Sequence, residues 1–123
     1  NNTFVGVGDS GTIVRSTDNG TSWDNATGPT GNTSTIWDVT FGNNTFVGFG
    51  HSSKIVRSTD NGSSFSYVTS GVSTHLTDVS FGNNTFVGVG TFGGIILRST
   101  DNGTTWDNIT SGTTEYLLYG VGF

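Results

Sequence analysis

The apolar residues of this chain occur in short runs, separated by polar segments rich in Gly, Ser, Thr and Asn. Between residues 36 and 41 the run alternates, so that Trp37, Val39 and Phe41 fall on one face of a strand and Asp38 on the other. Further β-prone runs cover residues 3–8, 12–17 and 21–27. No segment shows a helical period, and the pattern therefore predicts an all-β chain of short strands.

The same pattern returns twice along the chain. A nonapeptide at residues 15–23 recurs at 57–65 and at 98–106, at spacings of 42 and 41 residues. Three units align, and they cover residues 1–42, 43–82 and 83–123. Strand-rich repeats of about 40–45 residues are typical of four-stranded β-propeller blades. The sequence predicts one domain, residues 1–123, that consists of three such blades.

Two kinds of turn separate the predicted strands. Asn-Gly is a strong hairpin signal, because both central residues of a type I′ turn need a positive φ. It occurs at Asn19-Gly20, Asn61-Gly62 and Asn102-Gly103. A second turn, Gly42-Asn43-Asn44, is repeated as Gly82-Asn83-Asn84. The chain begins and ends inside this second turn, so we expect a processed, excised or engineered piece.

Composition excludes several classes of partner and cofactor. The net charge is −5, which opposes binding to nucleic acid or to an anionic membrane surface. There is no Cys, so neither disulfides nor thiol chemistry is expected. No apolar run reaches the length of about 18 residues that would span a bilayer. The sequence indicates no cofactor and no metal site.

Each nonapeptide carries the pattern Ser-x-Asp-x-Gly-x-(Ser/Thr)-(Trp/Phe). Its key positions are Asp18, Gly20 and Trp23, then Asp60, Gly62 and Phe65, then Asp101, Gly103 and Trp106. The pattern resembles the Asp-box, or BNR, repeat of sialidases, sortilin-type receptor domains and photosystem II assembly propellers. The flanking residues look closest to the photosystem-assembly type. The resemblance implies a β-propeller but no particular function, since enzymes, receptors and assembly factors all carry the motif.

The residues of the box have a structural interpretation of their own. Asp18 is suited to accept backbone N–H bonds across the loop, Gly20 supplies a positive φ, and Trp23 packs over the turn. The alternative is a Ca²⁺ loop, which needs more oxygen ligands than one Asp and one Asn per turn provide. We therefore interpret the boxes as structural.

Residues that differ between the units are the better candidates for function. In a propeller, the loops at 9–12, 51–54 and 91–94 share one face with the loops that join blades, and the boxes resemble those of the opposite face. The predicted binding residues on this face are Asp9, His51, Lys54, His75, Phe92, Glu115 and Tyr116. The alternative is that these loops have simply drifted in sequence.

A catalytic function is not expected. Sialidases use three convergent Arg, a Tyr–Glu pair and an acidic Asp, whereas Arg15, Arg57 and Arg98 occupy one position in three blades. His51 and His75 with Asp9 could be drawn as a metal or acid–base site, but their spacing does not require one.

Two other features have structural or compositional interpretations. Asp38 and Asp78 could line a central channel as a cation-binding ring or as a solvated wall, and Gly120 replaces Asp in the third unit. The nine Asn-x-Ser/Thr sequons reflect composition. An extracellular or cell-surface location is favoured by composition without being fixed by it.

Three blades cannot close a ring, because closed propellers usually carry about four to eight. We expect residues 119–123 of one chain to pair with residues 3–8 of the next, giving a homodimer of six blades or a homotrimer of nine. The predicted function is a non-enzymatic scaffold that binds a glycan or a protein. The alternatives are a purely structural ring or filament, natural or engineered, and a remnant of a glycoside hydrolase.

Overall fold

The computed structural model describes residues 2–113 and 117–123, which form three antiparallel sheets in chain order. The first sheet contains β1 (Phe4–Val7), β2 (Ile13–Ser16) and β3 (Asp24–Asn25), with a 3₁₀ turn at Asp9–Gly11. The second contains β4 (Ile36–Gly42), β5 (Thr45–Gly50), β6 (Ile55–Ser58) and β7 (Ser66–Val68). The third contains β8 (Leu76–Gly82), β9 (Thr85–Gly90), β10 (Ile96–Ser99) and β11 (Asp107–Ile109).

The predicted all-β architecture of propeller blades is confirmed, and the sheets form an open arrangement. Neighbouring strands in each sheet are consecutive in the chain, as in a blade. The sheets are offset from the sequence units, because β4 closes the first unit but pairs with β5 of the second. The first sheet consequently has three strands, and its inner edge along β1 has no partner within the described residues.

The predicted strand at residues 119–123 is not a strand in this structure. A β-strand requires a ladder partner, and the described residues provide none for this segment. The segment is nevertheless placed beside β8: the Thr77 hydroxyl donates to the Leu118 carbonyl at 2.7 Å, and the Val121 N–H donates to the Asp78 carboxylate at 2.6 Å. We call residues 117–123 the tail.

The turns follow the sequence signals in part. Asn43 and Asn44 have φ values of 47° and 58° and form a two-residue turn between β4 and β5. Asn61 and Gly62 also have positive φ, at 62° and 76°. They do not form a two-residue hairpin, however, because residues 59–65 separate β6 from β7. The Asp60 carboxylate accepts hydrogen bonds from Ser58 and Ser64 and so stabilises this longer loop.

The apolar core lies in the two gaps between adjacent sheets. Between the first and second sheets, Ile13, Ile36, Phe46, Val56 and Phe65 are buried together. Between the second and third sheets, the buried cluster is Val47, Phe49, Ile55, Leu76, Val79, Phe86 and Leu97. Each sheet therefore depends on its neighbour to bury one face, as expected for blades. No helix in the described ranges is long and apolar enough to cross a membrane.

Small residues allow the inner strands to approach one another. A Cβ at Gly42 would overlap the Phe81 ring, and a Cβ at Gly82 would overlap the Phe123 ring. The Val79 N–H donates to the Asp38 carboxylate at 2.8 Å, so the same carboxylate bridge joins β4 to β8 and β8 to the tail. The tail thus continues the row of inner strands that β4 and β8 begin.

Candidate functional site

The loops that differ between the units gather on one side of the three sheets. The Thr35 hydroxyl donates to the Asp9 carboxylate at 3.1 Å, and the Thr74 hydroxyl donates to the Thr91 carbonyl at 2.6 Å. Both bonds join a loop that links two sheets to a loop within a sheet. We call the side formed by residues 9–12, 27–35, 51–54, 69–75 and 91–95 the variable-loop face.

An aromatic cluster occupies this face at the start of β4. The His51 and His75 rings stack with their centroids 4.0 Å apart. The Trp37 ring meets both edge-on, at 5.8 Å from His51 and 5.6 Å from His75. The structure therefore brings together two of the predicted binding residues, which are 24 positions apart in the chain.

Trp37 was not among the residues singled out for binding from the sequence. Its side chain is 44% exposed at the start of β4. The ladder of β4 is irregular between Ile36 and Asp38, which breaks the strict alternation at this point. The sequence did contain a signal for Trp37. The three units carry Trp37, Thr77 and Tyr119 at equivalent positions, so this position differs between units as the predicted binding positions do.

Ser52 is hydrogen-bonded to both imidazoles. The Ser52 N–H donates to Nδ1 of His75 at 3.0 Å. The Ser52 hydroxyl is 2.8 Å from Nδ1 of His51. Among the described residues, no group of three His, Cys, Asp or Glu side chains is close enough together to hold a metal ion.

An open groove runs beside the cluster, between the loop at residues 71–75 and the third sheet. It measures about 470 Å³ and is lined by residues that include Val72, His75, Phe92 and Asn108. Phe92 is 61% exposed at the rim and has a φ of 56°. The groove therefore presents apolar surface beside backbone and side-chain polar groups, which is the usual character of a ligand site.

The remaining predicted binding residues are dispersed. The Lys54 ammonium lies 4.6 Å from the centroid of the Tyr67 ring, in a cation–π contact on the far side of the 69–75 loop. The Tyr67 hydroxyl donates to the Asn32 side chain at 2.8 Å, and burial raises the pKa of Tyr67. Asp9 lies beside Thr35 on the first sheet. Glu115 and Tyr116 fall outside the described residues.

The repeated nonapeptides form closed loops at the opposite ends of the strands. One oxygen of Asp18 accepts from the Ser16 hydroxyl at 2.8 Å and from the Ser22 N–H at 2.9 Å, and the other accepts from the Ser22 hydroxyl at 2.6 Å. Equivalent bonds hold Asp60 and Asp101. The indole N–H of Trp23 donates to the Gly20 carbonyl at 3.2 Å. Both carboxylate oxygens are thus engaged by the loop itself.

These bonds favour the ionised aspartates. The hydroxyl and N–H of Ser22, followed by the Ser16 hydroxyl, lower the pKa of Asp18 to about 2. Burial opposes the shift at Asp60, but donation from Ser64 and Ser58 outweighs it and lowers the pKa to about 2. Thr105 lowers the pKa of Asp101 to about 2 in the same way.

Asp38 behaves differently on the inner strands. Burial raises its pKa, the bond from the Val79 N–H opposes that rise, and the carboxyl of Asp78 adds to it. The third inner position is Gly120, so the described inner strands carry two carboxylates instead of a continuous acidic ring.

Comparisons with known proteins support the fold and leave the activity open. No protein-family model matches the sequence, and a search of curated proteins gives no match. Solved structures match by fold. A structure described as YCF48 bound to D1 peptide has a TM-score of 0.71 and 23% identity over 85% of this chain. YCF48 from Cyanidioschyzon merolae has a TM-score of 0.69 and 22% identity over 87% of this chain. The chain spans about a third of the length of each matched structure, 34% and 33%.

Proposed function

We propose that the chain is a non-enzymatic β-propeller binding module that takes a protein segment on its variable-loop face. The observation that carries this proposal is the division of the molecule into two kinds of surface. Residues common to all units are engaged in the folded loops, whereas the unit-specific His75 and Phe92 line an open groove and Trp37 contacts His75 beside it. The matched structure of YCF48 contains a bound D1 peptide, which supports a peptide as the class of ligand.

The groove is suited to an extended peptide. The exposed rings of Trp37 and Phe92 offer apolar contact for side chains, and the neighbouring loops offer hydrogen-bonding groups for a peptide backbone. A sugar would also stack on such rings, and glycan binding is therefore the competing outcome of the test.

The test is selection from a displayed library of random peptides on the immobilised protein. Peptides that bind should lose affinity about tenfold or more for Trp37→Ala and Phe92→Ala, which corresponds to about 1.4 kcal/mol or more of binding free energy. The matched control is Trp23→Phe on the opposite face, since Phe65 occupies the equivalent position in the second unit.

Equal binding to all variants would overturn the proposal. Glycan-array binding that depends on Phe92 would reassign the ligand class, and turnover of a fluorogenic sialoside that is abolished by Glu115→Gln would contradict the non-enzymatic part.

The nine-residue loops are interpreted here as Asp-boxes with a structural role. The carboxylate contacts of Asp18, Asp60 and Asp101 support this assignment. In each loop, the hydroxyl of the Ser or Thr four positions later donates to the aspartate. Loss of stability without loss of peptide binding in Asp60→Ala would agree with it.

We further propose that copies of the chain assemble by strand exchange, with the tail of one chain pairing along β1 of another. The placement of the tail beside β8 supports this, since it extends the row of inner strands while Phe123 is 91% exposed. A structural ring or filament without a ligand is the alternative use of the same contact. Deletion of residues 119–123 should reduce the native mass to that of a single truncated chain, which is slightly below the 12.8 kDa of the full chain, and an unchanged oligomer would contradict strand exchange.

A further inference from the structure

The contact between the first and second sheets includes a specific seam of polar side chains. Nε of Arg15, on β2, donates to the Asn61 carbonyl at 2.7 Å. The Asn61 side-chain amide donates back to the Thr3 hydroxyl at 2.8 Å. A Cβ at Gly62 would stand 2.7 Å from a methyl of Val5, so the turn packs tightly against β1. An Asn-Gly turn of one sheet is thus held by a Thr, a Val and an Arg of the preceding sheet.

The second and third sheets use the same seam. Nε of Arg57 donates to the Asn102 carbonyl at 2.8 Å, and the Asn102 amide donates to the Thr45 hydroxyl at 2.6 Å. A Cβ at Gly103 would stand 2.9 Å from a methyl of Val47. The repetition shows that this contact is a property of the repeating unit and not of one pair of sheets.

The outer sides of the first and third sheets carry the two halves of this seam, one half on each sheet. The third sheet has the receiving residues Thr85, Val87 and Arg98, and Arg98 is exposed. The first sheet has the turn Asn19-Gly20, which is also exposed, whereas Gly62 and Gly103 are buried. A Cβ at Gly20 would meet nothing within 4 Å. Within the described residues, neither Arg98 nor Asn19 has the seam partner that its counterparts have.

We infer that a second copy of this chain docks its Asn19-Gly20 turn on the outer face of the third sheet of the first copy, at Thr85, Val87 and Arg98. Nε of Arg98 donates to the Asn19 carbonyl of the other copy, and the Asn19 amide donates to Thr85. Gly20 packs against Val87, as Gly62 packs against Val5. This inference rests on the self-assembly proposed above and specifies a side-chain contact that strand exchange does not require.

The strand exchange and the seam demand the same pair of surfaces. In the second and third sheets, Phe41 opposes Phe46 and Phe81 opposes Phe86. The repeat then places Phe123 of one chain opposite Phe4 of the next. The sheet that contains this Phe4 also contains Asn19, and the sheet beside the tail contains Arg98. One head-to-tail contact therefore satisfies both.

Arginine geometry makes the seam sensitive to a conservative change. The donor in both internal seams is the Nε–H of a guanidinium, which a lysine ammonium does not reproduce in direction. Arg98→Lys keeps the charge and should weaken assembly, raising the dissociation constant about tenfold. Lys54→Arg is the control on the variable-loop face, and it should leave the dissociation constant unchanged.

A glycine substitution provides a second, independent test. Gly20 and Gly31 both have positive φ, at 87° and 72°, and a Cβ at either position meets nothing within 4 Å. Alanine at the two positions therefore brings a comparable backbone strain in a single chain. Only Gly20→Ala should place a methyl in the interface and weaken assembly.

The measurement is native mass against protein concentration for the wild type, the four substituted chains and the chain lacking residues 119–123. Weakened assembly in Arg98→Lys and Gly20→Ala, but not in Lys54→Arg or Gly31→Ala, is the expected result. A wild-type oligomer that needs the tail but ignores Arg98→Lys and Gly20→Ala would overturn the seam and leave strand exchange standing. A wild-type monomer at all concentrations would overturn the self-assembly proposal as well.

Discussion

Single aspartates fix the loops on one side of this molecule, and their ionisation ties stability to pH. Asp18, Asp60 and Asp101 each have a pKa of about 2 in the folded chain, below the ordinary value of 3.8. A lowered pKa in the folded state means that the ionised form is stabilised by folding. The stabilisation is complete above about pH 4 and is lost as the pH falls through the folded value of about 2.

We therefore expect these three aspartates to make the thermal midpoint fall steeply between about pH 4 and 2. Asp60→Asn should flatten this acid limb, because one of the three titrating groups is removed. Asp24→Asn, an exposed residue on β3, is the control and should keep the wild-type slope. Calorimetry across pH measures both, and a wild-type slope in Asp60→Asn would contradict the assignment.

Asp38 should show the opposite sign. Its pKa is raised, first by burial, so the folded state favours the protonated form and stability falls as the pH rises above the unfolded value. Asp38→Asn retains an oxygen for the Val79 N–H and removes the charge beside Asp78. We expect an equal or higher melting temperature at pH 7 and no gain below about pH 4. A clear loss of stability at pH 7 would show that the ionised carboxylate is needed.

The roles of residues that recur in every unit were easier to predict from the sequence than the roles of residues that differ between units. The Ser-x-Asp-x-Gly pattern gave Asp18 as an acceptor of loop N–H groups because the donors lie four positions away in the chain. The Trp37–His51–His75 cluster depends on a strand irregularity and on two different loops, so its geometry is set by tertiary packing. No local pattern could have predicted the 4.0 Å stacking of the imidazoles.

At the scale of elements, the inner strands depend on glycine at matched positions. Gly42→Ala should displace the Phe81 ring from its seat between β4 and β8, at a cost of about 1–3 kcal/mol in the free energy of unfolding. The atoms nearest to a Cβ at Gly82 belong to the Phe123 ring in the tail, so Gly82→Ala should cost much less in a single chain. The chain that lacks residues 119–123 also lacks Phe123, so its denaturant unfolding measures the Gly42→Ala loss without a contribution from the tail. Equal losses in the two variants would contradict this account.

The strands themselves were predictable to within a few residues, but their grouping into sheets was less direct. The alternation at residues 36–41 identified β4, and the Asn43-Asn44 signal identified its turn. The nonapeptide was expected to be a tight hairpin, whereas the Asp side chain supports a loop at residues 59–65. The tail shows the limit of pattern reasoning, because a segment with strand character needs a partner to become a strand.

At the scale of the whole molecule, the apolar core fills the two gaps between adjacent sheets, and the outer faces of the first and third sheets have no sheet packed on them within the described residues. Assembly that buries the outer edges should make stability depend on protein concentration by mass action. We expect the thermal midpoint of the wild type to rise with protein concentration. The midpoint of Arg98→Lys should begin to rise only at higher protein concentrations, because its assembly is weaker. Light scattering on the same samples measures the mass. A midpoint independent of concentration, at constant monomer mass, would contradict assembly.

The repeated seam also imposes an arithmetic on any ring built from this chain. Every seam has the same chemistry, so the number of blades that closes a circle is fixed by the wedge angle between adjacent sheets and not by the length of the polypeptide. A chain of three sheets can fill only circles whose blade number is a multiple of three. If the wedge angle favoured seven or eight blades, copies of this chain would be incommensurate with it, leaving either a vacancy or a strained circle. Chains of two or four units with the same seam would populate different circles, and comparing them would reveal the angle that the seam prefers.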